Sequence, residues 1–195
     1  MPERPVIANS TPLVSLWVLD RLDLLQDLYG EVLIPQEVHA EFLAAERGPR
    51  QAALDHAPWV RTVPLANPQH ARVYVGLDEG EAAVLALAEE RAARLVIIDE
   101  LKGRRYAQRL GLPLTGTLGL LVLAKERGLV ARLSPLLEEL RKQGLYLSSA
   151  LVDQTLRVAG EGKDRERRPA TEEKPLSTEE IDAIVHQVRR QRRGS

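Results

Sequence analysis

Two apolar runs in this sequence stop at oxygen-bearing side chains. Val6-Ile7-Ala8 gives way to Asn9-Ser10-Thr11, and Leu95-Val96-Ile97-Ile98 gives way to Asp99-Glu100. In an open parallel sheet, ligands collect at the carboxyl ends of strands, near the point where strand order reverses. A buried strand that ends at a carboxylate is therefore a candidate binding position. The simpler alternative has Asp99 capping the helix that follows. Glu81 adds a second signal. Val84, Leu85 and Ala88 lie three, four and seven residues after it, so Glu81 shares their apolar helix face. A carboxylate there is costly unless something pairs with it. A metal ion is one such partner. The helix terminus is the other, since Asp78-Glu79-Gly80-Glu81 has the spacing of a capping box.

Glu41 sits three residues past Val38 and four before Ala45, on the flank of a face containing Phe42. It reads as a ligand or as a boundary residue. Directly after Asp99-Glu100 comes a cluster of cations, Lys102, Arg104, Arg105 and Arg109. These suit phosphate groups, or they form a solvated helix face. Other chemistries are poorly served. Gly111-Leu-Pro-Leu-Thr-Gly116 lacks the Lys of a phosphate-binding loop, and no GxGxxG follows the first strand. His39, His56, His70 and His186 form no ligand pair at helical spacing, and there is no Cys. Thiolate metal sites and disulfides are thereby excluded.

The elements that must position these groups read as strands Val6–Ala8, Glu31–Ile34, Val60–Val63, Leu95–Ile98 and Leu112–Leu114. Helices are predicted over Pro12–Leu28 with a break near Asp20, and over Pro35–Glu46 and Gly80–Arg91. Three more follow, over Lys102–Leu110, Leu118–Arg127 and Pro135–Gln143. This alternation argues for a parallel sheet covered on both faces. Leu95–Ile98 is apolar without alternation, as a central strand buried on both sides requires.

The chain has 195 residues, 44% of them hydrophobic, which is enough for one cored domain with an appendage. Its net charge of −1 does not suggest a general electrostatic nucleic-acid binder, so any such contact must use a local patch. No segment reads as a signal peptide or a membrane span, and the expected location is the cytoplasm. Composition changes after Gly160. Residues 161–176 read as a disordered linker. Residues 177–193 read as a short amphipathic basic helix, with Ile181, Ile184, Val185 and Val188 on one stripe and four arginines behind them.

Five blocks, in order, resemble PIN domains: Val6–Val14, Leu33–Glu41, Leu77–Ala88, Leu95–Asp99 and Thr115–Lys125. The likeness is to bacterial and archaeal PIN proteins similar to VapC-like toxins of VapBC toxin–antitoxin pairs. It implies a PIN-like three-layer α/β/α fold with a central parallel sheet over residues 1–160, and a flexible C-terminal tail. It also implies a metal-dependent endoribonuclease acting on single-stranded RNA, a cognate antitoxin as partner, and a homodimer. The family's four acidic positions fall on Asn9, Glu41, Glu81 and Asp99, which would hold Mg2+ or Mn2+, with Glu41, Glu81 and Asp99 catalytic. Thr11 takes the place of a supporting hydroxyl, and Lys102, Arg104 and Arg105 would hold flanking phosphates. Asn9 departs from the family's usual Asp. An amide oxygen still suits a hard cation but brings no charge, and Glu100 is positioned in sequence to compensate. The same departure admits a second reading, a PIN domain weak or inactive as a nuclease that binds protein or RNA.

Overall fold

The computed structural model describes residues 4–145 and 147–162. The expected basic helix over 177–193, and all but the start of the expected linker, lie outside them. Five strands form one sheet: β1 Val6–Ala8, β2 Val32–Pro35, β3 Val60–Val63, β4 Leu95–Ile97 and β5 Leu114–Thr115. Their order is β3-β2-β1-β4-β5, and every pair is parallel. In β1, Val6, Ile7 and Ala8 are all fully buried. Successive strand residues point to opposite faces, so both faces of the sheet centre are covered, as the unbroken apolar run in β4 anticipates.

The helices between the strands are α1 Ser10–Val18, α2 Asp23–Tyr29, α3 Gln36–Leu43, α4 Arg47–Asp55, α5 Glu79–Glu90, α6 Leu101–Arg109 and α7 Thr117–Glu126, with a 3-10 turn over Pro68–Val73. The expected break near Asp20 is real. Asp20 has φ of 53°, a left-handed conformation that stops α1 and lets α2 begin. Helix α4 is not announced by the sequence, because Gly48-Pro49 looks like a breaker. Pro49 falls in the first turn of α4, where its missing N–H costs nothing.

Strand order reverses at β1. The chain builds outward through β2 and β3, then returns to place β4 on the other side. Register pairs Ile7 with Val96 and Ala8 with Ile97, and the Asn9 amide donates to the Ile97 carbonyl at 2.9 Å. Asn9 and the Asp99–Glu100 pair therefore leave the sheet side by side, at the switch point where such folds collect ligands.

The described residues from Leu118 onward form a second compact unit. It contains most of α7, then α8 Ser134–Lys142 and α9 Ser149–Val158. Glu161, read from sequence as the first linker residue, is instead built into this unit. Its carboxylate accepts from the Leu133 and Ser134 amides, the Ser134 hydroxyl and the Lys125 ammonium. Burial pushes its pKa up, but these donors outweigh it and hold the group at about 2. A depressed carboxyl pKa adds stability that is complete above the unfolded value near 4.5 and is lost as pH falls toward 2. Glu161→Gln should cost on the order of 1–3 kcal/mol near neutral pH. In urea titrations the gap between variant and wild type should narrow steadily below pH ~4.5. A gap that stays constant with pH would contradict this role. Among the described residues, no helix is long and apolar enough to cross a membrane.

Candidate functional site

The switch-point residues break a local rule together. Asn9 and Glu100 occupy the N-cap positions of α1 and α6, yet neither side chain caps its helix. Asn and acidic residues at N-caps normally bond the first free amides. Here the two side chains bond each other instead, Asn9 Nδ2 donating to Glu100 Oε2 at 3.0 Å. Thr11 Oγ1 donates to the other Glu100 oxygen. This fixes the amide so that Asn9 Oδ1 points away from Glu100, buried and without a hydrogen-bond donor. Capping energy is given up on two helices to hold an amide and a carboxylate at one place. Such concessions mark functional positions.

The start of α5 supplies the opposite wall. The anticipated capping box is present. Asp78 Oδ1 accepts from the Glu81 amide at 2.7 Å, and Glu81 Oε2 accepts from the Asp78 amide at 3.2 Å. The cap and the ligand readings of Glu81 are thus not exclusive, because the box uses only one of its oxygens. Glu81 is 4% exposed, and its Oε1 is buried without a hydrogen bond of normal geometry. Gly103 approaches that oxygen closely enough that a Cβ there would lie 3.3 Å from it. Burial pushes the Glu81 pKa up, and Asp78 and Glu100 add repulsion, against the nearby Asp78 and Gly103 amides.

Glu41 reaches the same space from α3. A Cβ on Gly80 would lie 2.5 Å from Glu41 Oε2, 3.4 Å from Asn9 Oδ1 and 3.5 Å from Asp78 Oδ1. Three oxygens from three elements thus converge on the bare Cα of Gly80. Glu41 as a residue is exposed, but partial desolvation of its carboxyl raises its pKa despite a hydrogen bond from the Ser10 side chain, and Asp78 and Glu100 raise it further. A groove of about 690 Å³ opens here, lined by Gln36, Glu37, Ala40, Glu41, Asp78 and Gly80 among others.

The remaining candidates are placed differently. Asp99 is half-buried, and its two oxygens accept from the Thr117 amide and hydroxyl, so it caps the start of α7. It caps a later helix than the α6 expected from sequence. Arg104 is fully buried and donates to the Ile98 carbonyl at 2.8 Å. The expectation that it meets phosphate is corrected: it fastens α6 to the end of β4. Lys102 and Arg105 are exposed.

Sequence reasoning missed Arg50. It is buried, donates to the Phe42 carbonyl at 2.8 Å, and its guanidinium lies 4.7 Å from the centre of the Trp17 ring and 5.4 Å from that of Phe42. Phe42 follows Glu41, so this stack fixes the end of α3 that carries the site carboxylate. Only its spacing from two aromatics distant in sequence would have revealed it. Arg50→Ala should cost on the order of 2–4 kcal/mol through the lost stack and the unpaired carbonyl. Arg50→Lys should recover less than half, since an ammonium lacks the stacking plane. Urea unfolding of the two variants measures this, and equal rescue by Lys would argue against the stack.

The donor set is all oxygen, which suits a hard cation such as Mg2+ or Mn2+. Two of its oxygens are buried and unsatisfied, and the carboxylates repel one another. Among the described residues, however, no three His, Asp or Glu groups stand close enough to form a ready-made cage. The family model DUF3368, described as a PIN domain, matches residues 5–161. No curated protein matches the chain.

Proposed function

The chain belongs to the PIN-domain family, and on that premise we propose that it is a divalent-metal-dependent endoribonuclease acting on single-stranded RNA. The observation that carries this reading is the pair of buried, unsatisfied oxygens, Asn9 Oδ1 and Glu81 Oε1, set among the carboxylates of Glu41, Asp78 and Glu100. Such groups are costly when left unpaired, and a cation would satisfy both.

Glu41, Glu81, Glu100 and the Asn9 amide are the groups we assign to holding Mg2+ or Mn2+. The ion supplies polarisation of the phosphodiester and a bound water of lowered pKa. Glu100 restores the negative charge absent at position 9, and Thr11 holds it in place. Asp99 is assigned a positioning role through Thr117, in place of the direct ligation that the family resemblance implies. Lys102 and Arg105 take the flanking phosphates. The likeness to VapBC-type toxins extends the proposal to one half of a toxin–antitoxin pair, silenced by a cognate antitoxin.

Incubation with a panel of RNAs in Mg2+, Mn2+ or EDTA tests the activity. Cleavage should need the metal, and Glu81→Gln should slow it by at least about 100-fold. Cleavage that survives EDTA would refute the metal chemistry. RNA binding without cleavage under any condition would favour the alternative, a PIN domain that binds and does not cut.

A further inference from the structure

Helix α6 carries four cations, Lys102, Arg104, Arg105 and Arg109, and no acid. The first 100 residues, by contrast, hold 16 acidic and 8 basic side chains. With Arg104 buried, the other three are spaced three and four residues apart and share one helix face. At ~1.5 Å of rise per residue they span about 10 Å. All three are exposed, and among the described residues none is ion-paired with a carboxylate. The row starts two residues after Glu100, on the helix whose Gly103 borders Glu81 Oε1.

A second feature lies along the same helix. The Arg109 guanidinium rests over the Tyr106 ring at 5.8 Å. Tyr106 donates its hydroxyl to the Val75 carbonyl at 3.1 Å, and Lys102 donates to the Gly76 carbonyl at 3.1 Å. Tyr74 packs edge-on against Tyr106 at 5.7 Å and donates to Glu89. Residues 74–76 are thus fastened to α6. Even so, Val75 is 79% exposed and Val73 61%, the most exposed large apolar side chains among the described residues. Polar anchors hold an apolar edge open beside a row of cations that have no carboxylate partner among the described residues.

Resting on the nuclease reading above, we propose that α6 is the track by which a single strand leaves the pocket. Lys102, Arg105 and Arg109 take successive phosphates. Arg109, backed by Tyr106, offers a plane for a base, and Val75 touches base faces. A duplex hides those faces and would gain nothing from Val75, whereas an unstacked strand uses both features.

The test is oligonucleotide binding in EDTA, which does not depend on turnover. A short fluorescein-labelled single strand and the same sequence as a blunt duplex are titrated against the full chain at several salt concentrations. Against the single strand, the double variant Arg105→Gln/Arg109→Gln should bind roughly 10-fold or more weakly. Its slope of log affinity on log salt should fall by about 1.4, at ~0.7 per lost phosphate contact. Val75→Ser should weaken single-strand binding several-fold and leave the duplex unchanged. Arg61→Gln, on β3 and paired with Glu31, controls for loss of a positive charge elsewhere on the protein and should behave as wild type. An unchanged slope, a loss no larger than the control's, equal effects of Val75→Ser on both forms, or no binding at low salt would each overturn the track. Loss of cleavage with the track intact would instead count against the nuclease reading alone.

Discussion

Gly80→Ala is expected to yield a protein that folds as well as wild type or slightly better, yet binds Mn2+ at least roughly 10- to 100-fold more weakly, the range seen when the surroundings of metal ligands are disturbed. The two effects separate because of what the added methyl meets. At 2.5 Å its neighbour is Glu41 Oε2, the tip of a flexible and exposed side chain, which can swing away at little cost. Gly80 lies in the first turn of α5 with ordinary negative φ, where Ala is the better helix former by up to about 1 kcal/mol. The methyl would then occupy the point on which Glu41, Asn9 and Asp78 converge. Thermal melting and Mn2+ titration of the same preparation check both halves. Unimpaired metal binding would show that the convergence is not a site.

Glu81→Gln is expected to raise the stability of metal-free protein at neutral pH and to abolish most of the stabilisation that metal confers. Gln retains an oxygen for the Asp78 amide, so the capping box survives while the buried charge goes. The sign follows from the raised folded pKa values of Glu81 and Glu41. Between the unfolded value near 4.5 and those raised values, the folded state binds more protons than the unfolded state. Stability of the metal-free wild type therefore falls as pH rises through that window, and the penalty is complete above it. Wild type should melt higher as pH is lowered from neutrality into the window, and Glu81→Gln should show a shallower rise. Metal at 100 times its Kd should add about 2.7 kcal/mol to wild type. For a chain of this size that is a rise in Tm of roughly 5–10 °C. A variant less stable than wild type in EDTA would mean that Glu81 is held by partners good enough to need no cation.

Much of this site was legible before any coordinates. The strand ends at Asn9 and Asp99–Glu100, and the carboxylate on the apolar face of α5, are one-dimensional signals of buried polar positions, and parallel-sheet topology brings them together. What sequence could not weigh was the division of labour between neighbours. Asp99 and Glu100 are adjacent carboxylates with the same chemistry, and only the rotation of the chain leaving β4 gives one to Thr117 and the other to Asn9. Arg104 and Arg105 differ in the same way, one fully buried and one in water. Helix α4 was hidden by Gly48-Pro49, and the Arg50 stack by the long separation of Trp17 from its partner. Glu161 looked like linker because its donors, two backbone amides and the side chains of Ser134 and Lys125, lie 27 to 36 residues away and leave no trace in local side-chain pattern.

Binding of a divalent ion by the cluster of Asn9, Glu41, Glu81 and Glu100 is the property on which the proposed nuclease activity depends. The electron paramagnetic resonance signal of free Mn2+, followed as the full chain is added, tests this without any assumption about substrate. Wild type should deplete the free signal to a definite stoichiometry, and Asp99→Asn should retain much of that binding. Glu81→Gln and Glu100→Gln should leave the signal nearly undiminished. A wild-type protein that leaves Mn2+ free, or Glu81→Gln and Glu100→Gln variants that bind it as tightly as wild type, would contradict the account.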